Sequence, residues 1–374
     1  MLTTEIRLNS VDAADSKWNW TIGAYHFIQD NPTKQATVFG KDAGLFGAPD
    51  TDFSIISTNI GRNDGFAGFG NITYALSEKW EINAGLRADR ESRRLTVGSA
   101  YEKQPYDPFP LAADTTGKTA FTAFSPKIGI QFKNDENHNT YFNLSRGFRA
   151  GGLSGISSDP SQLPLSAYLP EYSTMIEAGT KGENDSKTFR YSFTLFYNMV
   201  RNIQTPVLLL PDAVTITKNA GKLNSSGLEL EFMAKPVSGL TLQYAGGLTQ
   251  AEYAAFSSVS NGETVDFSGN KQIFTPSSTH FISSQYNVPM NKNELQFRLE
   301  YKYTGNQYFD FANTIRQNGY GLLNTRVAMR LQHLEFSFWG RNLLNKKYID
   351  YAYDFGAAHL GNPRMIGLGI GYRL

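Results

Sequence analysis

The chain contains no cysteine. That excludes a disulfide framework and any thiolate metal site, and it suits passage through an oxidising compartment without thiols to mispair. No apolar run reaches the roughly 18 residues that a membrane-spanning helix needs. The charge is nearly balanced: 35 Lys and Arg against 34 Asp and Glu leave a formal +1, which removes bulk attraction for a nucleic acid. The start, Met-Leu-Thr-Thr-Glu-Ile-Arg, has neither a basic n-region nor an apolar core, so no secretory signal is legible there. Catalytic punctuation is missing as well: there is no G-x-S-x-G elbow, no glycine loop ending in Lys-Ser or Lys-Thr, and no calcium loop. The five histidines (His26, His138, His280, His333 and His359) are too scattered for zinc-ligand spacing. The expectation is a non-enzyme with no cofactor and no nucleic-acid partner.

What is present is aromatic and glycine-rich, with 26 Phe, 20 Tyr, 4 Trp and 34 Gly. The pattern is dyadic. Leu295–Tyr303 reads Leu-Gln-Phe-Arg-Leu-Glu-Tyr-Lys-Tyr, apolar at every odd position and polar at every even one, which is a strand with one greasy and one wet face. Tyr191–Tyr197, Leu228–Phe232 and Ile366–Leu374 repeat it in other residues. About fifteen such segments are too many for side chains to plug a barrel's middle, so the wet face turns inward and the greasy face meets lipid. Backbone groups at an open edge in hydrocarbon would go unpaired, so such a wall must belong to a closed barrel. On this reading Leu299 faces lipid and Glu300 faces water, and an arginine at 300 is expected to be nearly neutral.

The connections alternate in length. Short ones are expected near Asp12–Lys17, Ser77–Lys79, Asp135–His138, Glu183–Lys187, Lys235–Gly239, Pro289–Asn293 and Gln332–His333. Long ones are expected near Pro32–Asn59, Thr96–Thr119, Gly151–Pro170, Asn202–Val214, Ala255–Gln272, Asp310–Asn318 and Ile349–Pro363. Short periplasmic turns alternating with long extracellular loops is the layout of bacterial outer-membrane barrels.

Several stretches resemble TonB-dependent outer-membrane receptors: SPKIGIQF at Ser125–Phe132, YFNLSRGFRAGG at Tyr141–Gly152 and EYSTMIEAGTK at Glu171–Lys181. So do Asn219-Ala-Gly221 with Ser226–Glu231, NLLNKKY at Asn342–Tyr348, and the closing GNPRMIGLGIGYRL. The resemblance implies an all-β transmembrane antiparallel barrel, about 15 strands of a parent of about 22, with 1–374 as its C-terminal part. The family's plug and first barrel strands are not seen. It implies uptake of scarce nutrients, ferric siderophores foremost, by a protein of the Gram-negative outer membrane. The partners it implies are outer-membrane lipid, the TonB complex through the missing plug, and the barrel-assembly machinery through Ile366–Leu374. Family members commonly end on Phe or Trp, where this chain ends on Leu374. A passive porin and an adhesive surface barrel are the alternatives.

For the ligand, the long loops offer aromatic rings beside carboxylates: Tyr101, Tyr106, Phe109, Tyr308, Phe309, Phe311, Tyr351, Tyr353 and Phe355 near Asp107, Asp310, Asp350 and Asp354. The binding candidates are Arg146, Arg149, Tyr308, Asp310, Tyr353, Asp354 and His359, with the arginines suited to an anionic chelate. An interfacial girdle continuing into the loops would explain the same rings. Gly147, Gly151, Gly152, Asn342 and Asn345 read as backbone and turn residues, Trp80 as an interfacial ring, and Trp339 as girdle or lumen packing.

Overall fold

A computed structural model describes residues 1–11, 16–48, 50–155, 165–209, 214–219, 221–260, 263–353 and 356–372. Alternation becomes sheet almost everywhere. The strands are β1 (Leu2–Asn9), β2 (Trp18–Phe39), β3 (Phe53–Ala75), β4 (Trp80–Glu102), β5 (Phe109–Lys133), β6 (His138–Arg149), β7 (Glu171–Glu183) and β8 (Phe189–Arg201). They continue as β9 (Lys222–Ala234), β10 (Leu240–Ala255), β11 (Ser278–Met290), β12 (Asn293–Thr304), β13 (Tyr320–Leu331), β14 (Leu334–Arg341) and β15 (Met365–Tyr372). All fifteen form one antiparallel meander in chain order. Among the described residues no pairing joins β1 to β15, so these two are the sheet's edges.

Register fixes the two faces. Leu299 lies opposite Ser284 and Thr325, flanked on its own strand face by Phe297 and Tyr301, all three rings and chains exposed. Phe142, Leu144, Ile128, Leu86, Ile72 and Phe336 carry the same face across the sheet, each more than a third exposed. An apolar surface this wide does not stand in water. The opposite face is ionised: Arg298 pairs with Glu300 at 2.6 Å, and Arg330 bridges Glu294 at 2.7 Å and Glu335 at 2.8 Å. Near the short turns the greasy face carries aromatic pairs, Trp18 on Tyr74 with ring centroids 4.2 Å apart and Trp80 on Phe132 at 4.6 Å. Such rings suit a headgroup interface. Trp339 belongs instead to the polar face, where it lies over Gly367; a Cβ at that glycine would collide with the indole.

Two expectations about loops are corrected. Pro32–Asn59 and Thr96–Thr119 are largely strand, because β2 to β5 run on for 22, 23, 23 and 25 residues. The largely polar, threonine-rich sequence there still pairs, with register shifts between Val97 and Ala100, and its lack of a sustained apolar alternation only means that neither face meets lipid. At about 3.3 Å per residue β4 is roughly 75 Å long, while the lipid band of such a wall is only about 25 Å tall. The tips are clasped by stacked rings, Phe39 on Phe53 at 4.6 Å and Phe53 on Tyr101 at 5.1 Å. Tyr101 and Phe109 are therefore strand residues. The remaining long connections each hold a small hairpin, such as Gln204–Leu209 with Val214–Asn219 and Ile349–Ala352 with Ala358–Leu360.

Candidate functional site

Strand β4 places Arg87, Asp89, Glu91 and Arg93 on the polar face, two residues apart, as its alternation requires. Asp89 is buried and takes the Arg87 guanidinium on both oxygens, at 2.9 and 3.0 Å. The same guanidinium lies 5.4 Å from the Tyr25 ring and 5.9 Å from the Phe69 ring. Higher on the strand Arg93 reaches Glu91 at 3.4 Å and sits 5.9 Å from Phe121, while its buried Nε has no hydrogen-bond partner. The Arg93 side chain is 27% exposed, and that exposed part is what an anion on the polar face can meet.

The rim above β6 to β9 is held by two amides. Gln204 donates from Nε2 to the carbonyls of Ala150 at 2.8 Å and Leu169 at 3.1 Å, and its backbone N–H donates to Glu171 at 2.6 Å. Asn219 donates to the carbonyls of Leu169 at 3.1 Å and Asn202 at 2.8 Å and accepts from the Leu169 N–H at 2.7 Å. At Gly221, at φ +79, a side chain would collide with the Ala255 carbonyl. The described ends of connections 150–170 and 202–221 are thus stapled into one rim.

The loop candidates separate. Arg149 lies on the polar face opposite Glu171, at the foot of the Gln204 staple. Arg146 does not: it shares the face of Phe142 and Leu144, with its guanidinium 4.4 Å from the Tyr172 ring, so it belongs to the outer girdle. Asp310 is also corrected, since its buried carboxylate is consumed by the Thr314 hydroxyl at 2.7 Å and the N–H groups of Thr314 at 3.1 Å and Ile315 at 2.7 Å. It folds its own turn. Phe309 is buried, and Phe311 packs on Tyr253, Phe256 and Phe267, so neither offers a free face. Tyr308 lines a cleft of about 720 Å³ with Lys271 and Arg316. Tyr353 and His359 do come together: Tyr351 stacks on His359 at 5.0 Å and meets Tyr353 edge-on at 5.5 Å, with Asp350 3.7 Å from the imidazole. Asp354, Phe355 and Leu374 lie outside the described residues.

Asn342 bears out its reading as a turn former: buried at φ +46, it donates to the Lys346 and Asn362 carbonyls, each at 2.9 Å. At the tip of the tall hairpins, Asp50 accepts from the Lys103 ammonium at 2.6 Å and the Tyr101 hydroxyl at 2.7 Å. The lysine first, then the tyrosine and the Thr51 N–H, hold its carboxyl down at about 2. A depressed carboxylate keeps its contribution above its ordinary pKa of 3.8 and loses it as pH falls through about 2. The clasp is therefore expected to hold to pH 4 and open only below it; Asp50→Asn should open it at neutral pH, read as faster exchange of the Lys103 region.

Arg93, Phe121 and the Arg87–Asp89 pair were missed from sequence although they lie just outside the stretch Thr96–Thr119 that reads as loop. The signal was present all the same, in charges at 87, 89, 91 and 93 keeping one parity.

A wide antiparallel wall with an apolar outer face, an ionised inner face and stapled loops at one end defines a membrane β-barrel of the receptor kind. The chain belongs to the TonB-dependent receptor-like β-barrel family, whose family model matches residues 3–343. It is similar to the pesticin receptor of Yersinia pestis, at 20% identity over 83% of this chain and 43% of the relative. It is likewise similar to the ferrioxamine receptor of Yersinia enterocolitica, at 24% identity over 81% and 41%. The chain spans less than half the length of either relative. Among solved structures, the ferric yersiniabactin uptake receptor of Yersinia pestis superposes with a TM-score of 0.78 at 20% identity, over 99% of this chain and 53% of that one. The siderophore receptor PiuA of Acinetobacter baumannii gives 0.76 at 16% identity, over 99% and 55%.

Proposed function

We propose that the chain is the wall and rim of an outer-membrane importer that binds a ferric siderophore. The observation that carries this reading is the polar face of β4 and β5, where the part-exposed Arg93 guanidinium, 3.4 Å from Glu91 and beside Phe121, offers charge and a ring to an anionic chelate. The relatives named for ferrioxamine, yersiniabactin and other siderophores support the ligand class. Residues 1–374 act as one barrel-wall domain set in the bilayer of a Gram-negative outer membrane. Ligand release is driven through TonB by way of a plug in the lumen, and β15 is the strand read by the assembly machinery. The chemistry is binding and gating, with no covalent step, as suits a family of receptors.

The edges at β1 and β15 need partner strands before the wall can enclose a lumen. Binding is therefore to be measured on the native gene product purified from outer membranes, titrated with ferric hydroxamate, phenolate and catecholate chelates and with their iron-free forms. Saturable quenching of intrinsic fluorescence by one ferric form is expected. Arg93→Ala should weaken that ligand by about tenfold to a hundredfold, the value of one charge-assisted hydrogen bond. Saturation by none of the three, or an unchanged affinity in the variant, would refute the reading.

A further inference from the structure

The hairpin Ile349–Ala352 with Ala358–Leu360, between β14 and β15, has a fixed foot and an exposed set of polar side chains. At the foot the Ile349 N–H donates to the Gln317 side-chain oxygen at 2.8 Å, and the Gly361 N–H to the Tyr348 carbonyl at 2.9 Å. Tyr320 stacks on Tyr348 at 4.2 Å, and Ala352 is buried. The register then slips: Ile349 pairs with Leu360 and Tyr351 with His359, so two steps on one strand answer one on the other. Asp350 is the extra residue of a β-bulge. Strict alternation would send its side chain to the face opposite Tyr351. The bulge instead brings its carboxylate to 3.7 Å from the His359 imidazole, the ring on which Tyr351 stacks, while Tyr353 meets Tyr351 edge-on. That gap is too long for a hydrogen bond. Asp350 and His359 are both more than half exposed, and both tyrosines more than a third. Among the described residues neither the Asp350 carboxylate nor the Tyr351 hydroxyl has a hydrogen-bond partner. An exposed contact of this kind adds little to stability, whereas bulges beside functional sites re-aim a side chain.

We propose that Asp350, Tyr351, Tyr353 and His359 bind a ferric ion directly, filling coordination positions that a weak chelate leaves open. Carboxylate and phenolate oxygens are hard donors and imidazole is a borderline one, a set that suits a small, highly charged transition ion. A phenol sheds its proton only to a strongly polarising cation, as water and thiols do to bound metals. Neighbouring donors on an ion with bonds of about 2.1 Å stand about 3 Å apart. Closing the gap of 3.7 Å therefore takes under about 1 Å of side-chain movement. Each coordinating phenol releases its proton to solvent while the ion gives up a water or a chelate oxygen, and no electron moves. The choice of iron among such ions rests on the importer reading above; the donor set does not, and it involves none of the Arg93 face.

The test uses the native gene product in mild detergent, with ferric nitrilotriacetate as the probe. Phenolate bound to ferric iron absorbs visible light by charge transfer, a band that neither the probe nor the iron-free protein carries. Wild type is expected to develop this band and to saturate at a single ion per chain. The double variant Y351F/Y353F keeps both rings and removes both phenols, so it should abolish the band without disturbing the stack. Asp350→Asn and His359→Gln should each keep the band but weaken binding by at least about tenfold. Tyr106→Phe, which removes a 72% exposed phenol from the turn between β4 and β5, should match wild type. A band that fails to appear in wild type, survives in Y351F/Y353F, or falls equally in Tyr106→Phe overturns the proposal. Displacement of the iron by an equal concentration of zinc does so too. The siderophore titration on the same preparation separates the two readings, since an intact chelate affinity without the band overturns this site alone.

Discussion

Leu299→Arg is expected to cut the folding yield into lipid vesicles sharply, because it sets a guanidinium into hydrocarbon near the middle of β12 at a cost of about 2–4 kcal/mol. The native gene product is the right background, since the wall must be closed for the face to meet lipid. The proper control is the next residue, one step along the strand and on the other face. Alternation alone suggested that arginine at 300 would be harmless. The structure changes that choice: Glu300 accepts from Arg298 at 2.6 Å, so an arginine there would remove a partner and add a like charge. Glu300→Gln is the milder test. The pair is about 30% exposed, and losing it should cost about 0–1 kcal/mol. Heat-modifiable gel mobility reads both yields, and equal losses would mean that the two faces have been exchanged.

Tyr253→Ala should have the second large effect, and a local one. Tyr253 is 1% exposed and anchors the cluster of Val200, Ile203, Leu223, Phe256 and Phe267 beneath the loop that follows β10. Its ring lies 4.9 Å from Phe256 and meets Phe311 edge-on at 6.0 Å. Truncating a buried aromatic typically costs about 3–5 kcal/mol. The chain around it is tied to strand ends by the N–H groups of Phe267, Gly269 and Gln272, which donate to Phe256, Tyr253 and Ala251. Their hydrogen-exchange protection should fall by a hundredfold to a thousandfold, on the order set by that loss. Amides in the middle of β12 and β13 should keep theirs. A uniform loss across the sheet would show that this cluster is no independent unit.

The wall was legible because lipid and water impose opposite demands on successive side chains, as at Leu299 and Glu300. The heights of β2 to β5 were not. Beyond the lipid both faces are polar, so Thr33 or Thr115 carries no period that separates paired strand from loop, and only the register with a neighbour decides. The candidate site suffered for the same reason. Arg146 and Arg149 look equivalent in the sequence, three residues apart near one rim, yet odd spacing on a strand sends them to opposite faces. Asp310 looked like a loop carboxylate free for a ligand, but aspartate is also the residue best able to fold a turn around its own oxygens. Tyr353 and His359 were brought together by a hairpin too short to announce itself.

The rim staples bear on how such proteins vary. Gln204, in the second connection, binds the carbonyls of Ala150 and Leu169 in the first, and Asn219 binds one carbonyl from each, so the chain segments 150–170 and 202–221 share their fastenings. Here a length change in the first segment shifts the Ala150 and Leu169 carbonyls on which the second is hung, and a change in the second shifts the Asn219 oxygen that holds the Leu169 N–H, so the two are expected to diverge as a linked pair. Grafting one of them alone from a relative should leave a frayed rim, while exchanging both together should carry the donor's shape across intact.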